Sequence, residues 1–281
     1  MDDFNKPKPR KVLKGGGLVG IIVLIIVYCI QMDILLFIIS LVLGISLIIS
    51  LYDDLRGIKK WNKVPIMFLP SLPLAIYGLL YSPWETKVLW IDFGWLYWVI
   101  VVPVVVMGFS NGGNIIAGYD GMEVGIYLTI SILYMIIGLL SEQGVVIALT
   151  APLIGMLIAM LIYNWYPSKL LLGNVGSFPI GAMLGIIPLI GHFEYVLPVI
   201  FLPHIIEFLL QVKYRNLKYS VFGRVDERGI IHDIYGNKSV IHWVMNLGEM
   251  TEIRITLFMI FIEVILCVIA FILFMFLSYP I

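Results

Sequence analysis

Nine apolar stretches of membrane-spanning length follow one another along this chain, near residues 16–32, 34–52, 64–81, 93–109, 121–140, 144–163, 173–190, 194–211 and 254–277. An α-helix rises 1.5 Å per residue, so about 20 apolar residues cross a hydrocarbon layer roughly 30 Å thick. Inside that layer no water serves the peptide groups, and each stretch must satisfy its own backbone as a helix. With 61% of 281 residues hydrophobic, 13% charged and a mean hydropathy of +1.03, the chain is more apolar than a soluble domain of this length can bury. The expectation is an all-α polytopic membrane protein with about nine transmembrane helices, forming one membrane-embedded domain over residues 1–281. No cleavable leader is expected, because the first stretch lacks a small-residue cleavage site and runs at once into the second.

A formal net charge of zero hides a strong asymmetry. With the Asp53-Asp54 end of the second stretch in the cytoplasm, 17 of the 18 Lys and Arg fall on that side and only Lys87 falls opposite. Lys and Arg collect in cytoplasmic loops, so the site is expected on the cytoplasmic face. Loops on the other side are minimal, whereas the longest inner segment, residues 212–251, reads as a cytoplasmic substrate loop. Its Gly223, Gly229 and Gly236 among alternating Val and Ile point to short strands or turns. Cys29 and Cys267 lie inside spans without metal-ligand spacing and read as inert buried thiols. Glu207 and Glu263 also lie inside spans, where a charge costs about 2.5–3.5 kcal/mol, so inter-helix hydrogen bonding is expected for both. His192, on the outer side, reads as structural. No nucleic-acid partner is expected.

Three polar clusters share the inner side. The first is Leu51-Tyr52-Asp53-Asp54-Leu55-Arg56-Gly57, with Arg56, Lys59, Lys60 and Lys63 following closely. Carboxylates sit poorly at a helix C-terminus, where the macrodipole is already negative, and near an anionic leaflet. A solvated helix end paired with lysines is one account; a bound cation is the other, and magnesium suits oxygen ligands completed by phosphate. The second cluster runs from Asn111-Gly112-Gly113-Asn114 to Asp120-Gly121. Helix capping accounts for part of it, yet irregular polar backbone at membrane depth belongs inside protein or beside a wet cavity. The third is Asn164-Trp165-Tyr166-Pro167-Ser168 followed by Gly173-Asn174-Val175-Gly176-Ser177, opening a helix whose N-terminus favours phosphate.

These motifs, in this order and on one face, resemble the polyprenyl-phosphate N-acetylhexosamine-1-phosphate transferase superfamily of glycosyltransferase 4 type. Within it they are most similar to the archaeal and eukaryotic UDP-GlcNAc–dolichyl-phosphate branch. The resemblance runs through 51–63, Ser71-Leu72-Pro73-Leu74, 111–125, 163–181, Gly191-His192-Phe193 and 203–209. It implies catalytic roles for Asp53, Asp54 and the phosphate-binding Lys63, and magnesium ligation by Asn114, Asn174 and Asp54, with manganese as the alternative metal. Substrate contacts are implied for Asn111, Asp120 on the nucleoside side, and Gly176, and for Arg224, Arg228 and His232 of the long loop toward the donor sugar; salt bridges to Asp226 and Glu227 are the competing reading of the loop cations. One departure stands out: Asn174 falls where the family carries an aspartate ligand, and Asp120 is a candidate to restore the missing charge. No histidine-rich loop is present, which disfavours a muramoyl-peptide donor.

The activity this resemblance implies is transfer of GlcNAc-1-phosphate from UDP-GlcNAc to polyprenyl or dolichyl phosphate, releasing UMP, as the first step of lipid-linked oligosaccharide assembly. A different UDP-N-acetylhexosamine, a transporter and a non-catalytic binding subunit are the alternatives. Transporters place binding groups near the midplane and often carry inverted repeats, whereas these clusters gather at one interface and no repeat is visible. The lipid bilayer is the remaining partner, an archaeal plasma membrane the expected location, and a homodimer an assembly the reading allows.

Overall fold

The computed structural model describes residues 2–3, 10–82, 84–116, 118–214 and 221–278. Lys6, Lys8, Ala117, Arg215 and Lys218, which the sequence places on the polar side, lie outside the described residues. The helices are α1 Gly17–Ile30, α2 Ile34–Arg56, α3 Lys60–Ile66, α4 Leu72–Tyr81, α5 Val102–Ile116, α6 Met122–Leu140, α7 Gly144–Asn164, α8 Asn174–Gly191, α9 Leu197–Ile200, α10 Leu202–Lys213, α11 Val240–Met245 and α12 Glu252–Ser278. Eight strands of two residues pair at the ends of the bundle: β1 Asp2–Asp3 with β2 Arg10–Lys11, β3 Leu13–Lys14 with β6 Leu170–Leu171, β4 Lys87–Val88 with β5 Ile91–Asp92, and β7 Arg224–Val225 with β8 Ile231–His232.

Among the described residues seven helices are long and apolar enough to cross a membrane, or eight if the pair Glu194–Ile200 and Leu202–Lys213, bent by 62°, counts as one. The nine stretches expected therefore appear as seven long helices, one bent pair and one shorter apolar helix. The first stretch folds as a helix of only 14 residues, about 21 Å long at 1.5 Å per residue and short of the hydrocarbon thickness. The eighth is broken at Phe201, just before Pro203 removes a backbone donor in the first turn of α10.

Helix α8 is the hub. Of its span 89% is buried inside the protein, and α1, α2, α5, α6 and α7 all pack on it. Small residues allow this: a Cβ on Gly17 would stand 2.3 Å from the Gly176 Cα, and a Cβ on Gly181 would stand 2.4 Å from the Phe109 carbonyl oxygen. Between apolar helices in lipid, such close backbone approach is what association has to work with. The hub brings the ends of α1, α2 and α5 to the first turn of α8.

Residues 221–251 form the β7–β8 hairpin and then α11, so short strands occur as expected, with a short helix added. Glu207 makes the inter-helix bonds expected of it, accepting from Ser239 Oγ and Val240 N at the start of α11, both at 2.8 Å. For Glu263 the expectation is corrected: its hydrogen-bond contact is Cys267 Sγ, one turn along the same helix at 3.9 Å. Cys29 is likewise exposed on the outside of the bundle rather than buried. His192 caps α8 in the left-handed conformation, and burial holds its imidazole below the ordinary histidine range.

Candidate functional site

Helix α2 ends in two carboxylates that face different partners. Asp53 is 1% exposed at its side chain, and Lys63 Nζ lies 2.7 Å from its Oδ2. The same oxygen accepts from Asn174 Nδ2 at 2.7 Å, while Oδ1 accepts from Ile58 N at 2.7 Å. Asp54, 11% exposed, has Lys14 Nζ 2.6 Å from Oδ1 and accepts from Val175 N at 3.1 Å through Oδ2. Two ammonium groups and the positive end of α8 thus offset the penalty of placing two acids at a helix C-terminus. Buried charges persist only when paired and hydrogen-bonded in this way.

The first turn of α8 is shaped to meet Asp54. Its cap, Gly173, has φ +76°, and a Cβ there would stand 3.0 Å from Gly15 N and 3.1 Å from Asp54 Oδ2. Only glycine combines that left-handed backbone with that approach. Strand β3 pairs in parallel with β6 just before Gly173, Leu13 with Leu170 and Lys14 with Leu171. Gly15 N and Gly16 N then donate to the Leu171 carbonyl at 3.1 and 2.9 Å. This short ladder fixes Lys14 beside the carboxylates.

The structure therefore brings Asp53, Asp54, Lys63 and Asn174 into one contiguous cluster. Asn111 is next to it: its Nδ2 donates to the Met107 carbonyl at 2.8 Å and to the Val64 carbonyl, one residue from Lys63, at 3.4 Å. Asn114 is half-buried and, among the described residues, makes no side-chain hydrogen bond. Its neighbour Gly113 is packed against Tyr127 Oη, which donates to Glu123 at 2.9 Å and to the Ser177 carbonyl at 3.4 Å. Asn114 thereby lies at the level of the first turn of α8.

Other expected site residues are placed elsewhere. Asp120 Oδ2 accepts from Ser168 N at 2.8 Å, its own N–H donates to Glu252 Oε1 at 2.9 Å, and its carbonyl accepts from Thr256 Oγ1 at 3.0 Å. It ties the third cluster to α12. Gly176 packs against Gly17 and Leu172. Arg224 and His232 face each other across the β7–β8 hairpin, both exposed. Asp226 gathers the neighbouring groups: Arg228 Nη2 at 3.5 Å and His232 Nε2 at 3.2 Å, while Arg228 Nη1 also meets Glu249 at 3.3 Å. The Ile230 N–H, opposed by slight desolvation and helped by His232 and Arg228, holds the Asp226 carboxyl below the ordinary range.

Two residues outside the sequence-derived set belong to the cluster. Lys14 counted in the sequence only as one more inner-side cation; its place before Gly15-Gly16-Gly17 was the available signal. Glu123, in the first turn of α6, lies within electrostatic reach of Lys14 and beside Ser177. An acid at a helix N-terminus is ordinary dipole chemistry, which is why nothing in the sequence singles it out.

As to metal, no group of three His, Cys, Asp or Glu suited to an ion occurs among the described residues. The donors available are Asp54, Asn174 Oδ1 and Asn114 Oδ1, hard oxygens with one formal charge between them. Oxygens of this kind are what magnesium takes when phosphate completes its shell, and they are too few for a self-sufficient protein cage.

Carboxylates and ammonium groups thus cluster at one end of an integral, multi-pass helical bundle. Residues 34–192 match the family described as glycosyl transferase family 4. A relative from Saccharolobus solfataricus is 33% identical over 286 residues, covering 96% of this chain and 87% of its own length; it carries the provisional name UDP-N-acetylglucosamine–dolichyl-phosphate N-acetylglucosaminephosphotransferase. The Schizosaccharomyces pombe enzyme of that name is 28% identical over 194 residues, 61% of this chain and 43% of its own. A phospho-N-acetylmuramoyl-pentapeptide-transferase from Moorella thermoacetica is 29% identical over 167 residues, 59% of this chain and 49% of its own. The chain belongs to glycosyl transferase family 4.

Proposed function

We propose that this protein transfers N-acetylglucosamine-1-phosphate from UDP-GlcNAc to a polyprenyl (dolichyl) phosphate and releases UMP, the first step of lipid-linked oligosaccharide assembly. The observation that carries the reading is the convergence of Asp53, Asp54, Lys63 and Asn174 from three separate helices on one polar end. Naming of the Saccharolobus and Schizosaccharomyces relatives supports the donor and acceptor. The loop histidines argue against a muramoyl-peptide donor, since His232 is exposed on the hairpin and His242 is buried against Tyr235.

A phosphate monoester has its second pKa near ~6 and is largely dianionic at neutral pH. Its oxygen is already a nucleophile, so positioning and charge neutralisation supply most of the rate. Lys63 and Lys14 bring two positive charges to the place where lipid phosphate and donor diphosphate must meet. Both oxygens of Asp53 are occupied by Ile58, Lys63 and Asn174, a geometry that favours orienting those groups over removing a proton. Asp54, Asn174 and Asn114 would hold magnesium, which when bound neutralises diphosphate charge. Arg224, Arg228 and His232 remain the proposed donor-side contacts of the hairpin, and Asp120 and Gly176 act through the backbone they hold in place.

An apolar groove of about 430 Å³ begins at Val64 and Asn111, beside Lys63, and continues along Met107, Phe201, Ile205 and Phe208. It gives the polyprenyl chain an apolar seat that starts where its phosphate would be held. The one-sided distribution of Lys and Arg supports a cytoplasmic site, proposed to lie in an archaeal plasma membrane; the nine expected crossings would require the short α1 and the bent pair each to span beside the seven long helices.

The test is UMP release by the purified protein from UDP-GlcNAc with polyprenyl phosphate and magnesium. Parallel arms with other UDP-N-acetylhexosamines fix the sugar. No UMP with any donor overturns the reading.

A further inference from the structure

The β7–β8 hairpin and α11 leave the bundle, yet their last part carries a set of exposed apolar side chains. Trp243 is 43% exposed, Leu247 61% and Ile234 58%. They form one patch. Leu247 lies in the turn that closes α11, its N–H donating to the Val244 carbonyl at 3.1 Å. The turn holding Ile234 is fastened to the same side: Trp243 Nε1 donates to the Asn237 carbonyl at 3.2 Å, and Asn246 Nδ2 donates to Asn237 Oδ1 at 2.8 Å and Asp233 Oδ2 at 3.2 Å. Asp233 is consumed by this turn, accepting also from Tyr235, Gly236 and Asn237 N–H groups. The opposite face of α11, Val240, Ile241, Val244 and Met245, is buried and packs on α10 and α12.

What decides the occupant of the patch is its level. Glu207 accepts from Ser239 Oγ and Val240 N, and Glu207 lies well inside α10, which continues to Lys213. The start of α11 is thus pulled down beside a membrane helix rather than held above its end. The outward faces of its two neighbours are lipid-like: Leu209 and Val212 on α10, Leu257 and Phe261 on α12 are all exposed. Lys238 follows Asn237 in the turn beside the patch, Lys213 ends α10, and the exposed acid Glu249 is paired with Arg228.

We infer that residues 234–247 form an interfacial foot whose Ile234, Trp243 and Leu247 sit in the headgroup region of the leaflet on the site's side, with Glu207 as its anchor. An aromatic and two aliphatic side chains flanked by lysines are what a helix lying in that region presents. The foot fixes the height of the hairpin that carries Arg224 and His232. The inference needs only the membrane embedding, and it stands whichever donor the enzyme uses.

Single cysteines at Ile234, Leu247 and, as a control on the hairpin, Glu227 are introduced into the full chain with Cys29→Ser. Each is labelled with an environment-sensitive fluorophore in nanodiscs that contain lipids bearing a nitroxide just below the headgroup. Emission at positions 234 and 247 should be blue-shifted and quenched severalfold more than at 227, and Glu207→Ala should reduce the difference. Equal quenching at the three positions overturns the proposal. So does a label at 247 that is shielded from both the lipid nitroxide and a water-soluble quencher, which would mean that a protein covers the patch.

Discussion

Two acidic nodes stand at the same end of the bundle, and they are built in opposite ways. At the Asp53-Asp54 node both side-chain cations, Lys63 and Lys14, come from short elements, and the amide oxygen of Asn174 is left over. At Asp120 the contacts run to the backbone N–H of Ser168 and, through its own N–H, to Glu252, while its carbonyl holds Thr256. Ammonium groups can let go of a carboxylate when a phosphate arrives; a backbone N–H inside a packed corner cannot without unfolding it. We propose that the first acid meets substrate and the second holds the frame, although both lie in motifs of similar polarity.

Asp54→Asn is the sharpest way to break that contrast. It keeps the size of the side chain and a hydrogen-bond acceptor, and removes the charge that Lys14 meets at 2.6 Å. Turnover should fall by about 10³-fold, on the scale of losing one preorganised charge contact in an enclosed site, while the unfolding temperature barely moves. Turnover within a few fold of the parent removes the acidic pair from the reaction. Lys63→Ala comes next, with a loss of roughly 10²-fold felt mainly as weaker use of the lipid phosphate or the donor diphosphate. Unchanged kinetics for both would exclude it. Asp53 loses its cation in that variant, so Lys63→Arg supplies the check that charge rather than packing is responsible.

Much of this site could be read from residue order alone. The Asp-Asp pair, the Asn111–Asn114 segment and Gly173–Ser177 stand out because polar residues at span ends are rare in so apolar a chain. Their common side follows from counting spans and basic residues. What could not be read is who touches whom. Asn174 and Asp53 are 121 residues apart, and only the packing of α2 against α8 decides that the amide donates to the acid. Lys14 enters through a two-residue parallel ladder with Leu170-Leu171, too short to leave a periodic signal. One helix boundary was not legible: α1 is apolar throughout, but it has only 14 residues because Gly15 and Gly16 are engaged with Leu171 rather than with helix partners. Asp120 was equally illegible in its contacts, since its hydrogen bonds to Ser168, Glu252 and Thr256 reach 48 to 136 residues along the chain.

Asp120→Asn probes the frame. Ser168 N would keep an acceptor but lose a charged one, so stability should drop by about 1–3 kcal/mol, and turnover of the surviving folded protein should change only a few fold. Thermal unfolding and turnover measured on the same preparation tell the two apart. A variant that stays as stable as the parent but loses turnover by orders of magnitude would move Asp120 from the frame to the substrate.

Asn174→Asp tests the cluster most finely. From the sequence, an aspartate here should bind magnesium at least as well, because it restores the charge that the family carries. The geometry adds a condition: Asn174 Nδ2 donates to Asp53 Oδ2 at 2.7 Å, and a carboxylate in its place would face another carboxylate. Like charges at that distance disfavour each other's ionised form. Without metal the variant should therefore lose on the order of 1 kcal/mol, a fall of roughly 2–4 °C in unfolding temperature for a chain of this size. Added magnesium should recover the loss and shift the metal titration of stability to lower concentration than in the parent. If the variant melts like the parent in chelator, the Asn174–Asp53 bond carries no weight. If magnesium fails to recover it, the ion does not sit between α2 and α8, and the oxygen donors of that node serve the substrate phosphates directly.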